Sequence, residues 1–196
     1  MRHFAYHIIL IALLVTGGTT ELSAQRFKAG LIGGVNLAQL DGDKLTGFNK
    51  IGFNAGARVS AVLHERWQLS IEMLFAQQGS SRTKTDDLSS VYDKIHLNFV
   101  EVPVMINFLE WKFHVSAGFS YARLMNFEVI DVVGTDVSDL QNFNADIFSG
   151  ILGVTYYFND HIGLNVRWSK YFNDMAGEND NQLIGRVIGI RGIYMF

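Results

Sequence analysis

Residues 51–75, IGFNAGARVSAVLHERWQLSIEMLF, hold two apolar alternations joined by a short polar break. In the first, Ile51, Phe53, Ala55, Ala57, Val59, Ala61 and Leu63 alternate with Asn54, Gly56, Arg58 and Ser60. After His64, Glu65 and Arg66, the second sets Trp67, Leu69, Ile71, Met73 and Phe75 against Gln68, Ser70 and Glu72. A period of two is a strand, and two strands on a tight turn make an antiparallel hairpin. Each arm outruns the roughly 5–6 residues usual in soluble sheets, and the first, residues 51–63, exceeds while the second, residues 67–75, meets the roughly 9–11 a tilted strand needs to cross a bilayer. One face is apolar while the other carries Arg58 and Glu72, the alternation of a membrane barrel with lipid outside and a polar lumen.

The rest of the chain repeats this unit. Strand one begins at Phe27, with Ala29, Leu31, Val35 and Leu37 in one phase. A fourth segment runs from about Lys94 to Phe108 and slips phase midway: Ile95, Leu97 and Phe99 are apolar on odd numbers, Val100, Val102, Val104, Ile106 and Phe108 on even ones. A one-residue bulge near Phe99 and Val100, just before the single proline Pro103, would restore one apolar face. Strand five follows "LEWK", strand six carries Phe148 to Phe158, "NDH" turns it into strand seven, and RVIGIRGIYMF (186–196) closes the chain. The intervening stretches 126–145 and "NDMAGENDNQ" read as loops.

Eight strands result, and their connections alternate long and short from first to last. A sandwich has no reason to gather every long loop at one end, whereas an outer-membrane barrel has short periplasmic turns and long outer loops. Aromatics form two belts: Phe27, Trp67, Phe108, Trp111, Phe113, Tyr156, Phe158, Tyr194 and Phe196 at the short-turn end, and Phe53, Phe75, Tyr121, Phe148 and Trp168 at the other. The expected fold is all-β, an eight-stranded antiparallel transmembrane up-and-down barrel with both termini periplasmic, in the outer membrane of a Gram-negative cell.

Bulk composition agrees. The 196 residues carry a net charge of −3, no basic footprint for nucleic acid, and no cysteine, which removes disulfides and thiol chemistry. The leader MRHFAYHIILIALLVTGGTTELSAQ has a basic start, an apolar core from Ile8 to Val15 and "LSA" before Gln25. It reads as a signal peptide over residues 1–24, leaving a barrel domain over 25–196. That implies passage through the Sec translocon, and the final strand with its C-terminal aromatic resembles the signal read by the barrel-assembly machinery.

The segments FKAGLIGGVNLA, FNAGARVSAVL, LNFVEVPVMINF, GILGVTYYF and LNVRWSKYF together resemble the PorT-type family of small, porin-like outer-membrane barrels. The resemblance covers about the whole mature chain and is carried by structural patterns. It implies the barrel fold, and by one family member a link to a protein-secretion and gliding apparatus, hence a secretion-apparatus protein as partner.

Five inward-phased charges, Arg58, Glu72, Glu101, Arg167 and Arg191, lie about five to seven residues from their short turns. They are expected to share one layer and plug the lumen with ion pairs, Arg58 with Glu72 foremost, since an eight-stranded barrel is just wide enough for side chains to fill. Arg123, Lys170 and Arg186 have the outward phase near the outer boundary and are candidates to meet lipopolysaccharide phosphates. His96, phased inward beside Ser89, Ser90 and Asp93, is the one candidate base, but a lone histidine without a triad is ordinarily a lumen or rim residue. Loop acids such as Asp41 and Asp174 lack an EF-hand spacing, and GLIGG lies inside a strand with no helix after it. No catalytic, cofactor or metal residue is assigned. The expected function is a non-enzymatic structural or interaction barrel; a lipid-modifying enzyme at the outer rim and a narrow pore are the alternatives.

Overall fold

The computed structural model describes residues 27–42, 45, 47–83, 92–176 and 183–196. The leader, residues 1–24, and most of the third loop lie outside them. The strands are β1 (Phe27–Asp41), β2 (Lys50–His64), β3 (Trp67–Ser81), β4 (Tyr92–Glu110), β5 (Phe113–Asp131), β6 (Asp146–Tyr157), β7 (Ile162–Tyr171) and β8 (Ile184–Met195). All neighbours are antiparallel and β8 returns to β1, closing a barrel.

Hydrogen-bonded partners fix its stagger. A walk from Ala29 through Val59, Ile71, Val104, Phe119, Gly150, Lys170 and Arg186 returns to β1 at Gln39, ten residues further on. That stagger tilts the strands by about 40–45° and leaves an interior that side chains can fill. The outer face is apolar on every strand, with Ile51, Met73, Val115, Phe119, Leu152 and Val166 all exposed. No water-soluble protein presents such a continuous apolar girdle, and lipid is the solvent that suits it. Aromatic pairs mark its two edges: Trp67–Phe108 and Phe113–Tyr156 at 5.0 Å by the short turns, Phe53–Phe75 and Tyr121–Phe148 at 5.4 Å by the long loops.

The expected bulge in β4 is absent. Odd residues face inward from Ile95 to Asn107, so Ile95, Leu97 and Phe99 are buried inside the barrel together with Glu101, Met105 and Asn107. The irregularity lies in β5 instead, where Asn98 pairs with Asn126 but Phe99 pairs with Leu124, leaving Met125 as the extra residue. The bulge switches the inward phase of β5 from even to odd numbers, so Val129 is buried although Ala122 is too. β5 therefore runs to Asp131, well into the stretch expected to be loop, followed by a 3-10 turn at Ser138–Leu140. The reason is a second apolar core inside the barrel at the long-loop end. Leu40, Ile95, Leu97, Phe99, Val129 and Ile147 form it, and Met175, Ala176 and Leu183 from the last loop cover it.

Candidate functional site

The lumen closes in two chemically different layers. Nearer the short turns, the hairpin of β2 and β3 places Arg58 opposite Glu72, and Arg167 of β7 and Arg191 of β8 converge on the same carboxylate. Inward phase put each charge inside, and the fold leaves Glu72 1 %, Arg191 2 % and Arg58 3 % exposed. Glu72 Oε2 accepts from Arg167 Nη2 at 2.7 Å and from Arg191 Nη1 at 3.2 Å. Arg58 Nη1 stands 3.8 Å from Oε1, which accepts no hydrogen bond.

The first-choice pair of the sequence is thus the loosest of the three. Arg58 is instead held by neutral groups: its Nη2 donates to Asn107 Oδ1 at 2.8 Å and to Ser70 Oγ at 3.2 Å. Asn107 also accepts from Ser116 Oγ at 2.7 Å, which ties β5 into the layer. On the far side Arg191 Nε donates to Asn165 Oδ1 at 3.0 Å, and Asn165 Nδ2 donates to Thr155 Oγ1 at 2.8 Å. Such side-chain partners for Arg58 and Arg191 are what burying three guanidinium groups around one carboxylate requires.

Glu101 does not join the layer. It pairs across the ladder with Leu74, two residues outward of Glu72, and the strand tilt lifts it further. It makes no ion pair among the described residues and borders a small cavity of about 20 Å³ with Asn36, Asn54, Gln78, Arg167 and Arg191. Above it the Tyr171 hydroxyl donates to Gln78 Oε1, and the apolar core around Phe99 begins.

At the outer rim the three outward cations are in place, two of them already paired. Arg123 Nη1 meets Asp146 Oδ1 at 2.6 Å, with the Tyr121 hydroxyl donating to the same oxygen at 2.7 Å. Arg186 Nη2 meets Asp41 Oδ2 at 2.6 Å. Lys170 faces Arg186 across the β7–β8 ladder and has no ion pair among the described residues. His96 is not inward: its even number puts it on the outer side of β4, and its Nδ1 lies 3.3 Å from Lys50 Nζ. Acids at and beyond the end of β5 brace backbone and one another's loop. Asp131 accepts from the amides of Val133 and Thr135, each at 2.9 Å. Ser138 donates to Asp136 and holds that carboxyl below the usual carboxylate range.

A closed antiparallel barrel with a lipid-facing apolar girdle, two aromatic belts, short turns at one end and long loops at the other defines an outer-membrane β-barrel protein. The chain belongs to the outer membrane protein beta-barrel domain family, whose model matches residues 21–177. No curated protein matches the chain by sequence. Among solved structures it is similar to Ail, the attachment invasion locus protein of Yersinia pestis, at 12% identity and a TM-score of 0.53, covering 86% of this chain and 98% of that one. It is likewise similar to Neisserial surface protein A, at 11% identity and a TM-score of 0.54, covering 87% and 97%. At such identities the likeness is one of fold. The protein therefore resides in the outer membrane, with its short turns in the periplasm.

Proposed function

We propose that the protein is a non-enzymatic, non-conducting barrel that serves as a scaffold in the outer membrane and engages its partners through the parts beyond the bilayer. The double closure of the lumen carries this reading. Ions entering from the periplasm meet the Glu72 cluster, and those entering from outside meet the core of Ile95, Leu97 and Phe99. A rim enzyme is disfavoured because the candidate base His96 abuts a lysine, whose charge opposes uptake of a proton. The resemblance to the PorT-type family suggests a protein of a secretion and gliding apparatus as partner, with the Sec translocon and the barrel-assembly machinery acting during biogenesis.

Planar-bilayer recording with the purified protein is expected to be silent. A steady, ion-selective conductance that Glu72→Gln alters would replace the scaffold with a pore. Cross-linking in intact outer membranes is expected to capture a stable protein partner, and turnover of lipid A or phospholipid by the isolated barrel would instead establish the rim enzyme.

The outer cations Arg123, Lys170 and Arg186 supply a second contact, with lipopolysaccharide phosphates. Lys170 should dominate it, because Asp146 and Asp41 already neutralise the two arginines. Lys170→Gln is expected to lower co-purifying lipopolysaccharide more than Arg123→Gln does. Equal amounts in both variants and the wild type would remove lipopolysaccharide as a specific ligand.

A further inference from the structure

The periplasmic mouth of the barrel holds a blind cavity of about 210 Å³, lined by Lys28, Gln68, Trp111, Lys112, His114 and Tyr157, with Asp160 as its single acid. It is blind because the Arg58–Asn107–Ser116 layer closes it from above. We propose that this vestibule binds a small anion, a phosphate or carboxylate carried on a flat apolar body and presented from the periplasm.

Charge selects the sign of the ligand. Lys28 and Lys112 have no ion-pair partner among the described residues. Behind them, Arg58 lies close enough to act electrostatically on His114, as does Lys28. Two lysines therefore line the cleft against Asp160 alone, with Arg58 beyond its lining adding to the same sign, and low-dielectric walls concentrate their field. A cation would be repelled from such a place, and a neutral ligand would gain nothing from the lysines.

Aromatic rings select the body. Trp111 stands at the first position of the two-residue turn between β4 and β5, with φ 53, a conformation that such turns normally give to glycine, asparagine or aspartate. A bulky residue held there is an outlier of the kind found at ligand clamps. Trp111 borders the cavity with Lys112 Nζ 5.6 Å from its ring centre, while Tyr157 of the adjoining strand packs on His114 at 4.5 Å. A cavity of this size equals about seven waters of liquid, room for one substituted ring.

Trp67 and Trp168 face lipid, so replacing both by phenylalanine leaves Trp111 as the sole tryptophan reporter of the vestibule. Phenyl phosphate titrated into this refolded barrel is expected to change Trp111 fluorescence saturably. Raising sodium chloride to about half molar should weaken the midpoint severalfold by screening. Lys28→Gln and Lys112→Gln should each weaken it about tenfold, and Asp160→Asn should tighten it. Benzyl alcohol, the neutral counterpart, should give no saturation. A linear response to phenyl phosphate, equal saturation by benzyl alcohol, or a midpoint indifferent to salt and to both lysines would each overturn the site. The salt titration uses the unaltered lysines and stays decisive even if a lysine variant refolds poorly.

Discussion

Glu72→Gln is expected to lower the unfolding free energy of the barrel by about 3–5 kcal/mol, the usual cost of stripping one partner from a buried ionic cluster. The substitution keeps shape and volume, so nearly all of the loss reports charge. Glu72 serves Arg167 at 2.7 Å, Arg191 at 3.2 Å and Arg58 at 3.8 Å, and without it the three guanidinium groups repel one another around a neutral amide. Arg58→Met should cost less. Its head group is the most distant of the three and is satisfied largely by Asn107 and Ser70, while the two tighter pairs survive. Combining Glu72→Gln with Arg167→Met should recover part of the loss, because the double change removes a charge that the single change strands. Urea unfolding in lipid vesicles, followed by tryptophan emission, measures all four proteins. A Glu72→Gln barrel within about 1 kcal/mol of wild type would show that water, and not the carboxylate, balances the arginines.

Phe99→Ala should cost a comparable amount, about 3–5 kcal/mol, because it opens a cavity in a closed core. Phe99 is 0% exposed and its ring lies 6.5 Å from that of Tyr171, edge to face. Val100, its neighbour in β4, is half-buried on the outer side. Val100→Ala should cost much less, since lipid refills the space that the two missing methyl groups leave. The contrast between adjacent residues is the readout. If Phe99→Ala proved as mild as Val100→Ala, the β4 phase described above would be wrong and the bulge would belong near Phe99 after all.

That phase is where the sequence was least legible. Alternation tells which residues share a face but not which face meets lipid, and inside the bilayer the apolar side points out. Beyond the bilayer the rule reverses, and Ile95, Leu97 and Phe99 point in for the same reason that Val102 and Val104 point out. An apolar residue looks alike in both roles. The bulge at Met125 left no mark on the pattern because apolar residues stay on odd numbers across it, Phe119 and Tyr121 before and Phe127 and Val129 after. The facing of the β2–β3 hairpin was readable from Asn54 to Val62 and from Gln68 to Ala76, where both arms lie within the membrane, but not its irregularity between Val62 and His64 nor the extension of β3 to Ser81.

The site was readable to the same depth. Counting from the short turns brought Arg58, Glu72, Arg167 and Arg191 to one level, because the level of a residue near its own turn depends little on the rest of the barrel. Glu101 was misplaced because it stands eight residues from Leu109, where its turn begins, against five or six for the other four charges, and its ladder partner is accordingly Leu74, above Glu72. The partners Asp41 and Asp146 were overlooked as well. Asp41 read as a loop acid and Asp146 fell between the loop 126–145 and the strand read from Phe148, yet each belongs to a strand and lies beside an arginine of the adjacent one.

The seam between β1 and β8 governs how such a chain can assemble. Every other pairing joins strands adjacent in sequence, whereas Gly30 meets Met195, Asp41 meets Ile184, and the amide of Phe196 reaches Ala29 O at 2.9 Å. These are the longest-range contacts in the protein, and they form after seven hairpin-like steps whose entropy has already been spent. Until they form, the two outer strands present unpaired amides and carbonyls, each costing several kcal/mol in hydrocarbon. A partly zipped sheet has no stable resting place in the lipid, so crossing the membrane and closing the ring must be one cooperative event, timed by the arrival of the last strand.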